Sequence, residues 1–166
     1  MANSSDSLSP TELGAYFALI EVSSLIRHAV EQQLREAGDL SYVQFQLLAR
    51  LGDSPEGSRS MTDLADGVVY SRSGLTYQAQ TLEQRGLVSR SPSVDDERST
   101  TVTITKNGRD MLATVFPGHI AVLDELLIAP LTRNDVDALD DVLGRVRDHL
   151  RAAPPRSASP RKRKKD

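Results

Sequence analysis

The chain has 166 residues and no cysteine, so it is long enough for one domain with a modest core, and disulfides and thiol-based sensing are excluded. Tryptophan is absent and aromatic residues make up 4%, which disfavours stacking on single-stranded nucleic acid. The formal net charge is −3 and no stretch shows the length and apolar composition needed to cross a bilayer, so we expect a cytoplasmic protein without membrane contact.

The chain begins with a polar leader and continues into a long helix. Residues 1–10 are mostly polar and are predicted to be disordered. A helix is predicted over residues 11–38, with Gly38 as the left-handed residue that ends it. Its apolar face is broader than one neighbouring helix covers. The residues of that face are Leu13, Tyr16, Phe17, Ile20, Val22, Leu25, Ile26, Ala29, Val30 and Leu34.

Two shorter helices follow, each with its own N-terminal signal. Ser41 and Gln44 form a predicted capping box for a helix with a leucine-rich core face. Residues 52–58 (GDSPEGS) are predicted to form a loop. Ser60 and Asp63 then cap a short helix, which ends early because a glycine and two valines follow it.

The next helix, predicted to begin after the N-cap Ser71, has two different faces. Leu75, Ala79 and Leu82 recur at spacings of four and three and form its buried stripe. The opposite face carries mostly uncharged donors and acceptors, which suit base edges in a major groove. A polar surface helix is the alternative interpretation, although such helices more usually carry Glu–Lys pairs. The candidate DNA-contacting residues are Ser71, Arg72, Ser73, Thr76, Tyr77 and Gln80.

The pattern then changes from helical to strand-like. Residues 87–90 are β-prone, and residues 99–105 (STTVTIT) alternate in the way that predicts a strand. The charged, turn-forming residues 92–98 connect them. A helix, a turn, a second helix and a hairpin together predict a winged helix-turn-helix within a mainly α (α+β) fold.

At this point the sequence resembles the MarR family of bacterial transcription regulators. The resemblance rests on Leu82-Glu83, the run Arg85-Gly86-Leu87-Val88 and Arg90, and continues through Asp96-Glu97-Arg98 to a strand that ends in Thr105 with Gly108 beyond it. It covers roughly residues 11–152. It implies a DNA-binding winged helix-turn-helix over residues 41–106.

Three charged residues are candidates for DNA contact or its support at the hairpin. Arg98 is expected to enter a minor groove, where narrow A·T-rich stretches concentrate negative potential. Asp96 is expected to hold the Arg98 side chain through a bidentate pair. Arg90 is a weaker candidate, for a phosphate contact. The alternative for Arg98 is an ordinary surface ion pair, which contributes little to stability.

Helices are predicted again after the hairpin. The first covers residues 108–116 and is expected to kink or break at Pro117, after which residues 119–128 resume it. Thr132 and Asp135 cap the last helix. Its apolar stripe is Val136, Leu139, Val142, Leu143, Val146 and Leu150.

The long helices flanking the winged helix-turn-helix have more apolar surface than one chain covers. We interpret residues 11–38 and 107–153 as a dimerisation module, in which a second copy covers the apolar faces. A monomeric all-helical core is the less favoured alternative.

The end of the chain differs from the rest in charge. Residues 154–166 carry six basic residues and one acid, a net charge of +5, which leaves −8 for residues 1–153. This tail is predicted to be disordered. Either it adds non-specific phosphate contacts or it is a solvated charge run without a role.

No cofactor, metal site or catalytic residue is expected. His28, His119 and His149 lie far apart in sequence without metal-ligand spacing, and satisfied surface or interface histidines are the favoured interpretation. No nucleophile elbow, phosphate-binding glycine loop or zinc-protease motif occurs, so an enzyme is not expected. The family resemblance implies a pocket for small aromatic or phenolic molecules, and Arg27, His28 and Tyr42 are its candidate lining.

Two functions follow from the sequence. The first is a homodimeric regulator that binds pseudo-palindromic double-stranded DNA and responds to a small molecule. The second is a winged-helix module that binds another protein through the same polar helix.

Overall fold

The computed structural model describes residues 8–67, 72–93 and 100–152. The chain divides into two compact units, Met1–Leu126 and Leu127–Asp166, which are described separately. The first unit contains five helices and three strands among its described residues, and the second contains one long helix. The predicted mainly helical fold with a small antiparallel sheet is confirmed.

The elements follow the predicted order with one addition, the strand β1. They are α1 (Pro10–Gly38), α2 (Tyr42–Gly52), β1 (Ser58–Ser60), α3 (Met61–Gly67), α4 (Arg72–Gln84), β2 (Val88–Pro92), β3 (Thr100–Ile104), α5 (Lys106–Leu123), a π-helical turn (Asp124–Ile128) and α6 (Arg133–Ala152).

Side-chain caps fix where these helices begin. The Ser41 hydroxyl oxygen accepts from the Gln44 amide at 3.2 Å, and the Gln44 side chain accepts from the Ser41 amide at 3.1 Å. The Ser60 hydroxyl accepts from the Asp63 amide at 3.0 Å and donates to its carboxylate at 2.7 Å. These contacts satisfy backbone N–H groups that have no partner within the helix. The capping predictions at Ser41 and Ser60 are confirmed.

The sheet has the strand order β1-β3-β2, with both pairs antiparallel. Residues 58–60 were expected to lie in a loop or at a helix start, but they form β1 against the strand β3. The Ser58 and Thr103 hydroxyls share a hydrogen bond of 2.7 Å at this pair. The strand β1 has no recognisable sequence signal, because three residues are too few to show alternation.

One continuous core joins the helices and the sheet of the first unit. Its fully buried side chains come from α1, α2, α3, α4, β3 and α5 and from the link between α1 and α2. They are Val30, Leu34, Leu40, Leu47, Leu48, Leu51, Leu64, Leu75, Leu82, Val102 and Val115. Burial of this cluster is the main term that stabilises the unit.

The end of α1 differs from the prediction. Gly38 is its last helical residue, and Asp39 instead takes the left-handed conformation, at φ 48°. A Cβ on Gly38 would lie 2.7 Å from Val115 Cγ1 and 2.8 Å from Met111 Sδ. Glycine is therefore required at position 38 by the close approach of α5 and not by its backbone angles. An aspartate tolerates the left-handed region better than most residues.

Of the kink or break predicted at Pro117, the break does not occur, since α5 runs through the proline to Leu123. The expected break rested on the loss of a backbone donor. Next to the proline, Val115 is fully buried, and its carbonyl accepts from the Gln33 side chain of α1 at 3.1 Å. This tertiary packing holds the helix together where local propensity disfavours it.

Several long helices expose apolar side chains. On α1, Phe17 is 62% exposed and Leu25 is 64% exposed. On α6, which has no buried residue, Leu150 is 66% exposed. By length and composition alone, Pro10–Gly38 and Lys106–Ile128 reach what a membrane-spanning helix needs, contrary to our expectation. Both helices mix apolar and polar residues, so neither contains an uninterrupted apolar run of that length.

Candidate nucleic-acid interface

The faces of α4 separate as the sequence predicts. Leu75, Ala79 and Leu82 are buried in the core, at 1% exposure or less. The opposite face is open to solvent, and its tyrosine is 65% exposed. Of the candidate DNA-contacting residues, the structure places four side chains on this open face: Ser73, Thr76, Tyr77 and Gln80. Arg72 is the first residue of α4, and Ser71 lies outside the described residues.

A partly buried amide pair links the middle of α4 to α2. The Gln44 side chain is 8% exposed and donates to the Gln78 side-chain oxygen at 2.9 Å. The same glutamine caps α2, so one side chain both starts α2 and links it to α4. Because the pair is partly shielded from water, displacement of α4 would cost the hydrogen bond between the two amides. Sequence reasoning assigned the cap but did not find the link.

The C-terminus of α4 is closed by a glycine turn. Gly86 has φ 69°, in the region that glycine adopts without steric cost. The Leu87 amide donates to the Leu82 carbonyl and the Gly86 amide to the Glu83 carbonyl, both at 2.9 Å. With Leu82 and Leu87 both buried, this is the Schellman arrangement of a helix end. The turn directs the chain into the strand β2.

Arg90 on β2 makes two hydrogen bonds to the Glu83 side chain of α4. Its Nε donates to a Glu83 carboxylate oxygen at 2.8 Å, and its backbone amide donates to the other oxygen at 3.0 Å. The hydrogen bond from Arg90 holds the pKa of the Glu83 carboxyl below its usual range. The pair links the helix α4 to the strand β2. The phosphate contact predicted for Arg90 is untested by this geometry, and its positioning contact was not foreseen.

Both remaining wing residues, Arg98 and Asp96, lie outside the described residues. The strands that carry the tip are ordered by five residue pairs, from Val88 opposite Ile104 to Pro92 opposite Thr100. The roles of Arg98 and Asp96 therefore remain predictions.

The predicted ligand residues are only partly brought together. Arg27 and Tyr42 both line a cavity of about 290 Å³, and the Arg27 guanidinium lies 5.4 Å from the Tyr42 ring centroid. His28 is not among the residues that line it. His119, which the sequence did not assign to the pocket, does line it, together with Leu123 from the same helix.

The imidazole of His119 is partly buried at this cavity. Its ring lies 4.5 Å from the Phe45 ring centroid, and its buried Nδ1 has no hydrogen-bond partner among the described residues. Burial lowers the pKa of His119, so the ring is neutral at pH 7. Within one chain the expectation of a satisfied surface or interface histidine is not met at this nitrogen, because the rings of Phe45 and Phe116 lie next to it.

A larger cavity lies between α2 and α5. It has a volume of about 700 Å³ and is lined by apolar side chains, such as Phe116 and Leu112, and by the basic residues Arg50 and Arg109. Phe45 lines it as well, and its ring also contacts His119 of the smaller cavity at a tilt of 52°. No sequence signal located this cavity, because its walls come from helices about 60 residues apart in the chain.

Comparison with known proteins decides the family. The model of the MarR family matches residues 38–99. The regulator MhqR of Bacillus subtilis is 31% identical over 105 residues, which cover 63% of this chain and 68% of that protein. The chain belongs to the MarR family.

Solved structures of MarR-family regulators from Streptomyces coelicolor share the fold of this chain. Sco3205, solved in complex with DNA, is 26% identical with a TM-score of 0.83, covering 89% of this chain and 92% of that one. AbsC is 29% identical with a TM-score of 0.82, covering 90% of this chain and 100% of that one. This MarR-family protein is thus a transcriptional regulator, and the curated relatives are regulators of transcription, not enzymes.

Proposed function

We propose that this MarR-family protein is a homodimer that binds pseudo-palindromic double-stranded DNA. In this proposal α4 lies in the major groove, the Arg98 wing enters the minor groove, and a small aromatic or phenolic molecule modulates binding. The observation that carries the proposal is the open, uncharged polar face of α4 above a fully buried leucine stripe.

The chemistry of that face supports contact with bases. Gln80 can donate and accept at once, as the edge of adenine requires, and the ring of Tyr77 can contact a thymine methyl group. Both side chains are exposed on the helix surface and have no structural role in the core. The solved DNA complex of Sco3205 supports double-stranded DNA as the partner.

The exposed apolar faces support a dimer. A monomer rarely exposes this much contiguous apolar surface, and a second copy would cover it under two-fold symmetry. On α1 alone the exposed apolar residues are Leu13, Tyr16, Phe17, Leu19, Ile20, Val22 and Leu25. A cytoplasmic protein that associates with the nucleoid when bound to DNA is consistent with this arrangement.

The smaller cavity supports an effector with a ring and a polar group. Arg27 and Tyr42 present a cation and an aromatic face, and the unpartnered Nδ1 of His119 can accept from a phenolic hydroxyl. A neutral imidazole accepts such a bond at pH 7, whereas a protonated one does not. His28 remains a predicted ligand residue, although it does not line this cavity.

The test compares the helix with the wing. Double-stranded DNA selected from a random library by the wild-type protein is measured against Gln80→Ala and Arg98→Ala. Gln80→Ala should cost about 1–3 kcal/mol of binding free energy and relax preference at one base position per half-site. Arg98→Ala should instead weaken binding most on operators flanked by A·T tracts, because a minor-groove arginine responds to groove width.

Controls separate this proposal from its alternative. Arg133→Ala removes one exposed arginine on α6. It should change neither the base preference nor the dependence of affinity on the flanking sequence. Dimer mass is followed by sedimentation throughout. A wild-type protein that selects no sequence would favour a protein-binding winged-helix module. If Arg98→Ala binds operators with every flanking sequence as tightly as the wild type, the wing does not contact the DNA.

A further inference from the structure

Arg85 joins the end of the recognition helix α4 to the end of α1. Its Nη1 donates to the Asp39 carbonyl at 2.7 Å and its Nη2 donates to the Gly38 carbonyl at 2.9 Å. One guanidinium therefore spans two successive carbonyls, 46 and 47 positions away in sequence. A planar fork of donors matches such a pair, whereas the single ammonium of lysine does not.

The carbonyls that Arg85 contacts lie at a helix end. The last carbonyls of a helix lack partners within it and form the negative end of its dipole. Asp39 ends the helix in the left-handed backbone conformation. Its own amide donates to the Arg35 carbonyl at 3.0 Å. A cation placed here is stabilised both by hydrogen bonds and by the dipole.

Both sides of the contact are held firmly. Arg85 directly precedes Gly86 in the glycine turn, and its amide donates to the Thr81 carbonyl at 3.2 Å. On the other side, Leu34 and Leu40 are fully buried, and Gly38 packs tightly on α5. Movement of α1 therefore reaches the C-terminus of α4 through Arg85.

The helix α1 continues from this contact to the exposed apolar residues of its N-terminal half. Leu25 and Gly38 are 13 residues apart on one helix, about 20 Å at 1.5 Å per residue. If that apolar half is the dimer face, as the proposed function holds, a single rigid helix connects the dimer face to Arg85. The orientation of each recognition helix relative to its twin then depends on this contact.

We propose that Arg85 is a positioning residue that sets the separation of the two recognition helices and thereby the preferred half-site spacing. It acts through the Gly38 and Asp39 carbonyls and not through a phosphate. A cavity of about 460 Å³ borders the contact and is lined by Arg85, Glu31 and Ser41 among others, so solvent can reach this contact.

Spacing is the measurement that separates positioning from general stability. Inserting or deleting one base pair between half-sites shifts one of them by about 3.4 Å and rotates it by about 35°. The wild type should therefore bind altered spacings about tenfold or more weakly than its selected operator. Arg85→Ala should bind the selected operator about tenfold more weakly, because α4 must then be ordered on the DNA, and should discriminate spacings less than about threefold.

Arg85→Lys provides the matched comparison because it keeps the charge and loses the fork. If Arg85 positions α4, Arg85→Lys should lose spacing discrimination as Arg85→Ala does, with the salt dependence of binding unchanged. If Arg85 contacts phosphate, the lysine variant should behave as wild type, and the alanine variant should lower the slope of log affinity against log salt by about 0.9 per phosphate. The latter outcome overturns the proposal.

A second readout needs no DNA. The chain has no cysteine, so spin labels can be placed at Gln84→Cys on the exposed end of α4. The distance distribution between labels in the dimer should broaden in Arg85→Ala and stay narrow in Arg133→Ala. A narrow distribution together with an unchanged spacing profile overturns the role of Arg85 while specific DNA binding stands. A wild-type protein that binds no specific DNA overturns both proposals.

Discussion

Glu83 and Arg90 form an ion pair between a helix and a strand. Neither residue type in the sequence indicates this pairing. Glu83 lies on α4 and Arg90 on β2, and seven positions of chain with a glycine turn separate them. Their side chains are 36% and 25% exposed, respectively, so the pair is shielded from water more than the other ion pairs among the described residues. The contact fixes the strand β2 against the helix α4.

The pH dependence of stability should reveal this pair. The pKa of Glu83 is lowered from 4.5 by its hydrogen bond from Arg90. The stabilisation is therefore fully present above pH 4.5 and is lost as the pH falls through the lower, folded-state pKa. Glu83→Gln should lower the free energy of unfolding by about 0.2–1 kcal/mol at pH 7. That difference should shrink below pH 4.5 in urea unfolding measured from pH 7 to pH 3.

A more exposed ion pair is the control. Arg133 and Asp137 are 3.5 Å apart with side chains 89% and 67% exposed. Asp137→Asn should change stability less than Glu83→Gln at pH 7. Equal effects of the two variants at every pH would mean that the Glu83–Arg90 contact contributes nothing specific.

Between elements, the tightest approach is that of α5 to the turn after α4. Thr105 caps α5 by accepting from the Gly108 amide at 3.1 Å, and its own amide donates to the Leu87 carbonyl at 3.1 Å. A Cβ on Gly108 would collide with that same Leu87 carbonyl oxygen and would lie 2.7 Å from Ile104 Cγ1. The backbone at Leu87 cannot retreat without losing its hydrogen bond.

Gly108→Ala should therefore destabilise the protein although alanine is the better helix former. We expect a loss of about 1–3 kcal/mol in the free energy of unfolding, the cost of overpacking a close contact. Gly144→Ala is the matched control, because its new Cβ would meet only Arg147 Nη2, at 3.8 Å. That change should stabilise α6 by roughly 0.5–1 kcal/mol through helix propensity. Chemical unfolding of both variants checks that the free energy of unfolding changes in opposite directions. Stabilisation by Gly108→Ala would refute the close contact between Gly108 and the Leu87 carbonyl.

For the whole molecule, the proposed homodimer depends on the exposed apolar faces. Phe17 is 62% exposed on α1, among other apolar residues of the same helix. Phe17→Glu would place a charge in the dimer face, where removing it from water is costly. We expect the variant to sediment as a monomer and to bind the full operator at least about a hundredfold more weakly, since each half-site is then bound alone.

Gln32→Lys adds one charge to the same helix at an exposed polar position and is the control. It should remain dimeric, with the operator affinity of the wild type. Phe17→Glu that sediments as the wild type would place the dimer face elsewhere or support the monomeric alternative.

The sequence by itself determined the elements whose signals are local. Capping at Ser41 and Ser60 needs residues three positions apart, and the leucine stripe of α4 follows from helical periodicity, so both were predicted where they occur. The exposed face of α4 follows from that same periodicity. Membership of the MarR family rested on motifs within residues 82–108, which are short enough to recognise in one chain.

Only the tertiary structure decided what depends on atoms distant in sequence. The strand β1 exists because β3 pairs with it, α5 continues through Pro117 because α1 holds it, and Gly38 is required by the approach of α5. Arg85 belonged to the family motif, but its two carbonyl partners lie 46 and 47 positions away. Periodicity and capping report on a few neighbouring residues, whereas these contacts depend on how separate helices pack, which no local pattern encodes.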